Sequence, residues 1–153
     1  DILTRYGLRD RIKVIAAGKL ITPAEVAWAY CAGADFVVSA RGFMFALGCI
    51  QAMKCNRNTC PTGITTHQPH LQRGLDPADK AVRVKNFVDK MRYGVGVIAH
   101  SCGAAHPRAL KRYHVHLVQA DGSAKPFSDI FPEAEPVGLA TPERSQAAGN
   151  AQA

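Results

Sequence analysis

The apolar positions fall into runs of two kinds. Ile12, Val14, Ile15 and Ala16 form a short run closed by Ala17-Gly18, and Asp35–Ser39 (Asp-Phe-Val-Val-Ser) holds a second. Both read as short buried strands, over Ile12–Ala16 and Asp35–Ser39. Between them, Thr22-Pro23 supplies an N-cap and a first-position proline. Val26, Ala27, Ala29 and Tyr30 carry the helix that follows, and Ala32-Gly33 ends it. Strand, helix and strand in that order predict one βαβ unit with parallel strands. Another helix is expected from Phe43.

The second kind of run is longer. Asp76-Pro77 repeats the cap-and-proline signal, and Ala81, Val84, Val88, Met91, Val95 and Ile98 follow at alternating steps of three and four. That spacing predicts one amphipathic helix ending at Cys102-Gly103. Gly94 and Gly96 lie inside it, each costing roughly 1 kcal/mol against alanine, so a kink or a close backbone contact is expected there. Cys55 to Leu75, with Pro61, Gly63, Pro69 and Gly74, reads as loop. Pro107 to Arg112 is expected to be a short helix and Val115 to Gln119 a strand. The residues after Pro136 read as a disordered tail.

Composition narrows the class. The chain has 153 residues, 47% hydrophobic and 20% charged, the balance of a globular domain with a core. Its apolar runs are too short for a membrane-spanning helix. The first residues show no basic-then-apolar leader and no starting methionine, so the chain is expected to begin inside something larger. The net charge is +7, yet Phe36 to Leu75 contains no Asp or Glu and carries Arg41, Lys54, Arg57 and Arg73. An acid-free basic stretch suits a phosphate or an anionic metal cluster, and equally a solvated basic surface. The later chain leans acidic, with Asp129, Glu133, Glu135 and Glu143.

Chemistry concentrates in two places. Cys49-x5-Cys55-x4-Cys60-Pro61 puts three of the five cysteines within twelve residues. Thiolates are soft ligands for iron or zinc, and a proline after the last ligand also occurs in bacterial ferredoxins. Three clustered thiols suit a three-iron cluster. Zinc would need a fourth ligand, His67 being the nearest, and three unliganded buried thiols are the remaining possibility. Clustered thiols imply a reducing compartment, the cytoplasm. The other place is a pair of strand ends, Ala17-Gly18-Lys19 and Ser39-Ala40-Arg41-Gly42. In (β/α)8 barrels the loops after strands seven and eight often hold a phosphate. Gly18 would admit it, amides near Ala40 and Arg41 would donate, and Lys19 and Arg41 would supply charge. Otherwise Gly18 and Gly42 are turn glycines.

The run Ala40-Arg41-Gly42-Phe43-Met44-Phe45-Ala46-Leu47-Gly48-Cys49-Ile50, followed by Cys55-Asn56-Arg57-Asn58-Thr59-Cys60-Pro61-Thr62-Gly63, closely resembles the FMN- and cluster-binding segment of glutamate synthases. In particular it looks like the stand-alone, archaeal-type FMN-binding synthase proteins, over roughly Gly7 to Pro132. The resemblance implies an α/β fold, the C-terminal part of a (β/α)8 TIM barrel. Residues 1–53 would be its last βαβ unit (strands seven and eight) and the following helix. Residues 54–75 would be the iron–sulfur loop, 76–135 a helical extension and 136–153 the tail. It further implies FMN phosphate at Gly18, Lys19, Ser39, Ala40, Arg41 and Gly42, and a [3Fe–4S] cluster on Cys49, Cys55 and Cys60. The implied reaction forms L-glutamate from 2-oxoglutarate and ammonia or the amide nitrogen of glutamine. Ferredoxin or an NAD(P)H-oxidising subunit would be the electron donor. Thr65-Thr66-His67 departs from the Ala-Thr-Gln of many larger synthases. Since such a barrel typically needs about 250 residues, its remainder must come from elsewhere, and the chain is expected to be inactive alone. No residue here can be given a catalytic role. The alternative is a small zinc-dependent interaction or nucleic-acid-binding module.

Other residues carry bland expectations. His114 and His116 would share one strand face as exposed or hydrogen-bonded histidines. His100 and His106 flank Ser101-Cys102-Gly103 without an orienting acid. Cys31 and Cys102 are expected to be core thiols, and Trp28 a packing residue.

Overall fold

The computed structural model describes residues 1–137, so the expected tail lies from residue 138 onward outside the described residues. The chain divides into two compact units, Asp1–Ile12 with Glu133–Ala153, and Lys13–Pro132. In the first, a short helix α1 (Ile2–Arg5) closes when the amides of Leu8 and Arg9 both reach the Leu3 carbonyl, and Val137 donates to the Arg5 carbonyl at 2.8 Å.

The larger unit runs β1 (Ile15–Ala17), α2 (Pro23–Cys31), β2 (Phe36–Val38), α3 (Ala40–Leu47), α4 (Pro69–Gln72), α5 (Pro77–Ser101), β3 (His116–Val118), β4 (Ala124–Pro126) and α6 (Phe127–Ile130). Short 3-10 turns occur at Cys55–Arg57, Pro107–Ala109 and Arg112–His114. β1 and β2 pair in parallel, Ile15 opposite Phe36 and Ala17 opposite Val38, with α2 as the crossover. This is the predicted βαβ unit, and the class is α/β. The strands are shorter than expected. The Val14 amide bonds the Asp35 carboxylate at 2.7 Å instead of extending the ladder, and Ser39 already stands at the N-cap position of α3.

Why α2 forms is plain from its start. The Thr22 hydroxyl accepts from the Glu25 amide, while the Glu25 carboxylate accepts from the amides of Ile21 and Thr22 at 2.7 and 2.8 Å. This reciprocal box satisfies otherwise orphaned donors. The Thr22 amide first, and the Ile21 amide next, hold the Glu25 carboxyl below the ordinary carboxylate range. α5 begins similarly, with Asp76 accepting from the Ala78 amide at 3.0 Å. Two buried clusters join these helices. Ala27 and Cys31 meet Ala99, Ala104 and Leu110; Val26 and Ala29 meet Leu20 and Val95, with Ala16 and Val37 of the sheet against them.

The strands are not buried on both faces, as the apolar runs had suggested. Ile15, Phe36 and Val38 remain 63%, 45% and 49% exposed. Helices cover one face, and on the other Arg108 lies over the Phe36 ring at 4.9 Å. Further corrections follow from tertiary packing. Cys102 is exposed at the end of α5, whereas Cys31 is buried. Trp28 does pack as expected, its ring towards Phe127 with centroids 6.4 Å apart, while it stays 46% exposed. The expected helix from Pro107 is two separate 3-10 turns, because Leu110 between them is extended and buried. His114 sits in the second turn, its Nδ1 accepting from the Lys111 amide, so it does not share a strand with His116. β4 and α6 had no apolar periodicity to announce them. β4 exists because Asp121 and Gly122 (φ +80°) turn the chain back onto β3.

The two helix glycines differ. A methyl on Gly94 would stand 2.6 Å from Pro23 Cγ, so the expected close contact is there. At Gly96 nothing lies within 4 Å, so no close contact is made at that position. Gly94→Ala is therefore expected to lower stability in urea unfolding, since proline and helix must separate. Gly96→Ala is expected to raise it, by up to about 1 kcal/mol. Equal effects would mean that the Pro23 contact is not kept in solution.

Candidate functional site

Parallel pairing sets the two strand ends side by side. Ala17 opposes Val38, so Gly18-Lys19 and Ser39-Ala40-Arg41 leave the sheet together. Gly18 has φ +136° and Lys19 φ +56°, and a Cβ on Gly18 would meet nothing within 4 Å. Here α3 begins. The first amides of a helix, at Ala40, Arg41 and Gly42, have no intrahelical acceptor. Ser39 occupies the N-cap without forming a cap hydrogen bond, and its Oγ is buried with no partner among the described residues. An unsatisfied buried hydroxyl is costly unless something bonds it. Lys19, Ala40 and Arg41 are exposed, while Gly42 is buried. A methyl on Gly42 would lie 2.5 Å from Ser39 Oγ and 2.6 Å from Phe87 Cζ. Phe87 of α5 in turn meets Phe43 edge-on at 5.3 Å. The glycine thus lets α3 sit flush on α5 and keeps the Ser39 hydroxyl in place. This donor set fits a phosphate group.

The cysteines begin where α3 stops. Gly48 takes the left-handed conformation, φ +99°, and the Cys49 amide bonds the Met44 carbonyl at 2.9 Å. That closure ties the first thiol's backbone to the helix. Gln51, Met53 and Asn58 then all have positive φ, near 55°. Left-handed non-glycine residues cost of order 1–3 kcal/mol each and cluster at functional loops. Cys55 opens an exposed 3-10 turn. Cys60 is buried, its Sγ 3.3 Å from the Thr62 hydroxyl. That hydroxyl first, and the Thr65 amide next, bring the Cys60 thiol down to about 6. A thiol so placed readily becomes the thiolate that a metal needs. Among the described residues no three Cys, His, Asp or Glu side chains are gathered to hold a metal ion. The three cysteines are strung along one loop, and the fit to an iron–sulfur cluster lies in donor chemistry.

Residues that sequence reasoning passed over hold that loop. Asn58 accepts from the Thr66 hydroxyl at its carbonyl and from the His67 amide at Oδ1, 2.7 and 2.6 Å away. Gln72 reaches the Thr66 carbonyl at 3.0 Å. Gly63 leaves no room for a side chain, a Cβ there lying 2.5 Å from the Leu71 carbonyl. Beside these residues is a pocket of about 630 Å³, lined by Cys55, Asn58, Thr65, His67 and Gln72 among others. The left-handed Asn58 is the one feature the sequence hinted at, since asparagine tolerates that conformation. Of the remaining thiols, burial pushes Cys31 up to about 11, and Cys102 adds to the rise. Cys31 is therefore a neutral core group. The His106 Nδ1 caps the Arg108 amide, which gives it a structural partner.

The chain was compared with known proteins. Residues 1–105 match the family model described as the conserved region in glutamate synthase. A glutamate synthase large subunit-like protein, YerD, of Bacillus subtilis is 44% identical over 122 residues, 80% of this chain and 23% of its own length. An archaeal glutamate synthase [NADPH] of Methanocaldococcus jannaschii is 35% identical over 101 residues, 66% of this chain and 20% of its own length. An archaeal-type glutamate synthase [NADPH] of Thermotoga neapolitana is 28% identical over 121 residues, 74% of this chain and 24% of its own length. The chain thus spans a fifth to a quarter of these curated relatives.

Gly42→Ala should displace Phe87 or Ser39 and cost about 1–3 kcal/mol in thermal unfolding, the usual result of overpacking. It should also weaken the FMN binding that the resemblance implies, followed by quenching of flavin fluorescence. Ser39→Ala, which removes only the hydroxyl, should weaken binding without that loss of stability. Wild-type affinity in both variants would rule out the strand-end site.

Proposed function

The chain belongs to the glutamate synthase family, and from that membership we propose that it is the flavin- and cluster-binding end of a synthase barrel. β1 and β2 are strands seven and eight. Residues 1–53 form the closing βαβ unit with its helix, 54–75 the cluster loop and 76–135 the extension. The observation that carries this reading is the paired strand ends opening onto α3, with the Ser39 hydroxyl buried and unpartnered. Gly18 gives backbone access to the FMN phosphate, Ser39 and the amides of Ala40, Arg41 and Gly42 donate to it, and Lys19 and Arg41 balance its charge. Cys49, Cys55 and Cys60 ligate a [3Fe–4S] cluster. When bound, these groups supply one-electron relay and hydride chemistry for making L-glutamate from 2-oxoglutarate and ammonia or glutamine-derived nitrogen. Electrons come from ferredoxin or an NAD(P)H-oxidising subunit.

The rest of the barrel covers what this chain leaves open. A two-stranded parallel sheet is marginal alone, and parallel sheets are normally covered on both faces. The exposed side chains of Ile15, Phe36 and Val38 support that reading. No helix among the described residues is long and apolar enough to cross a membrane, and the thiol chemistry suits a reducing cytoplasm.

An anaerobic assay of iron, sulfide and zinc with EPR tests the ligand set. We expect about three irons per chain and the signal of an oxidised three-iron cluster, both lost in Cys49→Ser, Cys55→Ser or Cys60→Ser. Stoichiometric zinc without sulfide would overturn the assignment. The chain alone is expected to form no glutamate from 2-oxoglutarate and ammonia with a reduced donor, because the remaining strands are missing. Measurable turnover would contradict the division of the barrel proposed here.

A further inference from the structure

Arg83 of α5 lies over the turn that carries Cys49. A Cβ on Gly48 would stand 3.3 Å from Arg83 Nη1 and 3.8 Å from Nη2. The guanidinium therefore packs directly on the backbone preceding the first cluster cysteine. The left-handed glycine leaves the space that a side chain would fill. α3 has no basic residue in its own last turn, so α5 supplies a cation at its carbonyl end. The neighbouring acid is Asp79, one turn earlier on α5. Its carboxyl is held low chiefly by the hydrogen bond from Lys80, at 2.9 Å, and less by the charge of Arg83. Lys80 is thus the hydrogen-bonded partner of Asp79. No acid in the sequence from Phe36 to Leu75 opposes the charge of Arg83.

Resting on the ligand assignment above, we propose that Arg83 is a positioning residue for the anionic group that Cys49 helps to hold. Its charge sets a positive local potential at that thiol. Reduction of a thiolate-bound three-iron cluster adds one electron and one negative charge. A fixed cation beside one ligand therefore favours the reduced form and raises the reduction potential.

Two measurements on the full chain test this, and the first needs no cluster. Labelling of Cys49, read by peptide mass spectrometry, compares a dianionic aromatic disulfide with the neutral dithiodipyridine. The ratio of the two rates largely cancels differences in thiol acidity and reports local charge. Arg83→Gln is expected to lower that ratio several-fold at low salt, while Arg83→Lys keeps most of it. The same ratio in Arg83→Gln as in the wild type would overturn the proposal. The second is an EPR-monitored redox titration of the reconstituted chain. Arg83→Gln should lower the ratio of reduced to oxidised cluster at fixed potential about tenfold, equivalent to about 59 mV for one electron. An unshifted potential would also overturn it. A wild-type chain that takes up no iron and sulfide would sink the ligand assignment instead, and the labelling ratio would still decide where the charge of Arg83 acts. Should Arg83→Gln unfold, judged by circular dichroism, Arg83→Met against Arg83→Lys makes the same comparison with the aliphatic stem kept.

Discussion

The close seating of α5 on α2, where Gly94 meets Pro23, sets the geometry of the larger unit. Alanine and glycine at the crossing let the helices approach, and Val95 and Ala99 of α5 then become buried against α2. The same helix reaches α3 at both ends. Phe87 fills the space over Gly42 near its start, and Arg83 lies over Gly48 at its end. One continuous helix of 25 residues thus holds the strand-end site and the first cysteine in fixed relation. The eight residues of α3 separate them, roughly 12 Å at 1.5 Å per residue. That would be a short path between the flavin anchor and the metal ligand proposed above.

Apolar coverage thins away from this helix. The sheet is covered by α2 and α5 on one face, and its other face keeps three large apolar side chains in contact with water. Beyond α3 the chain takes three left-handed non-glycine residues in quick succession. The cysteine loop is then pinned from behind by Asn58, Thr66 and Gln72, which bond backbone groups rather than burying apolar area. A loop held by polar contacts can leave Cys55 exposed and Cys60 buried while its own fold stays specified. The depressed Cys60 thiol has a separate local cause, the Thr62 hydroxyl first and the Thr65 amide next.

Much of this was legible in the residues. The two cap-and-proline pairs announced α2 and α5 to the residue, since a cap is a local hydrogen bond that needs no distant partner. The step pattern from Val84 to Ile98 marked the inward face of α5. Strand existence and parallel order were readable from run length and the intervening helix. Strand burial was not, because an apolar run reads the same whether one face or both are covered. His114 was misjudged because its Nδ1 accepts from the Lys111 amide and draws it into the turn before β3, and Cys102 because the end of α5 is left uncovered.

The spacing of Cys49, Cys55 and Cys60, the glycines at the strand ends and the acid-free basic stretch are properties of the sequence by itself, and they were enough to raise metal and phosphate binding as expectations. Tertiary structure alone decided the rest. It put Gly18 beside Ser39, orphaned the Ser39 hydroxyl, made Gly42 indispensable to the seating of Phe87 and carried Arg83 across to Gly48. Hydrogen bonds within one turn are encoded by residues a few positions apart. Contacts such as Arg83 with Gly48 arise only when two helices pack, and packing depends on every side chain along both.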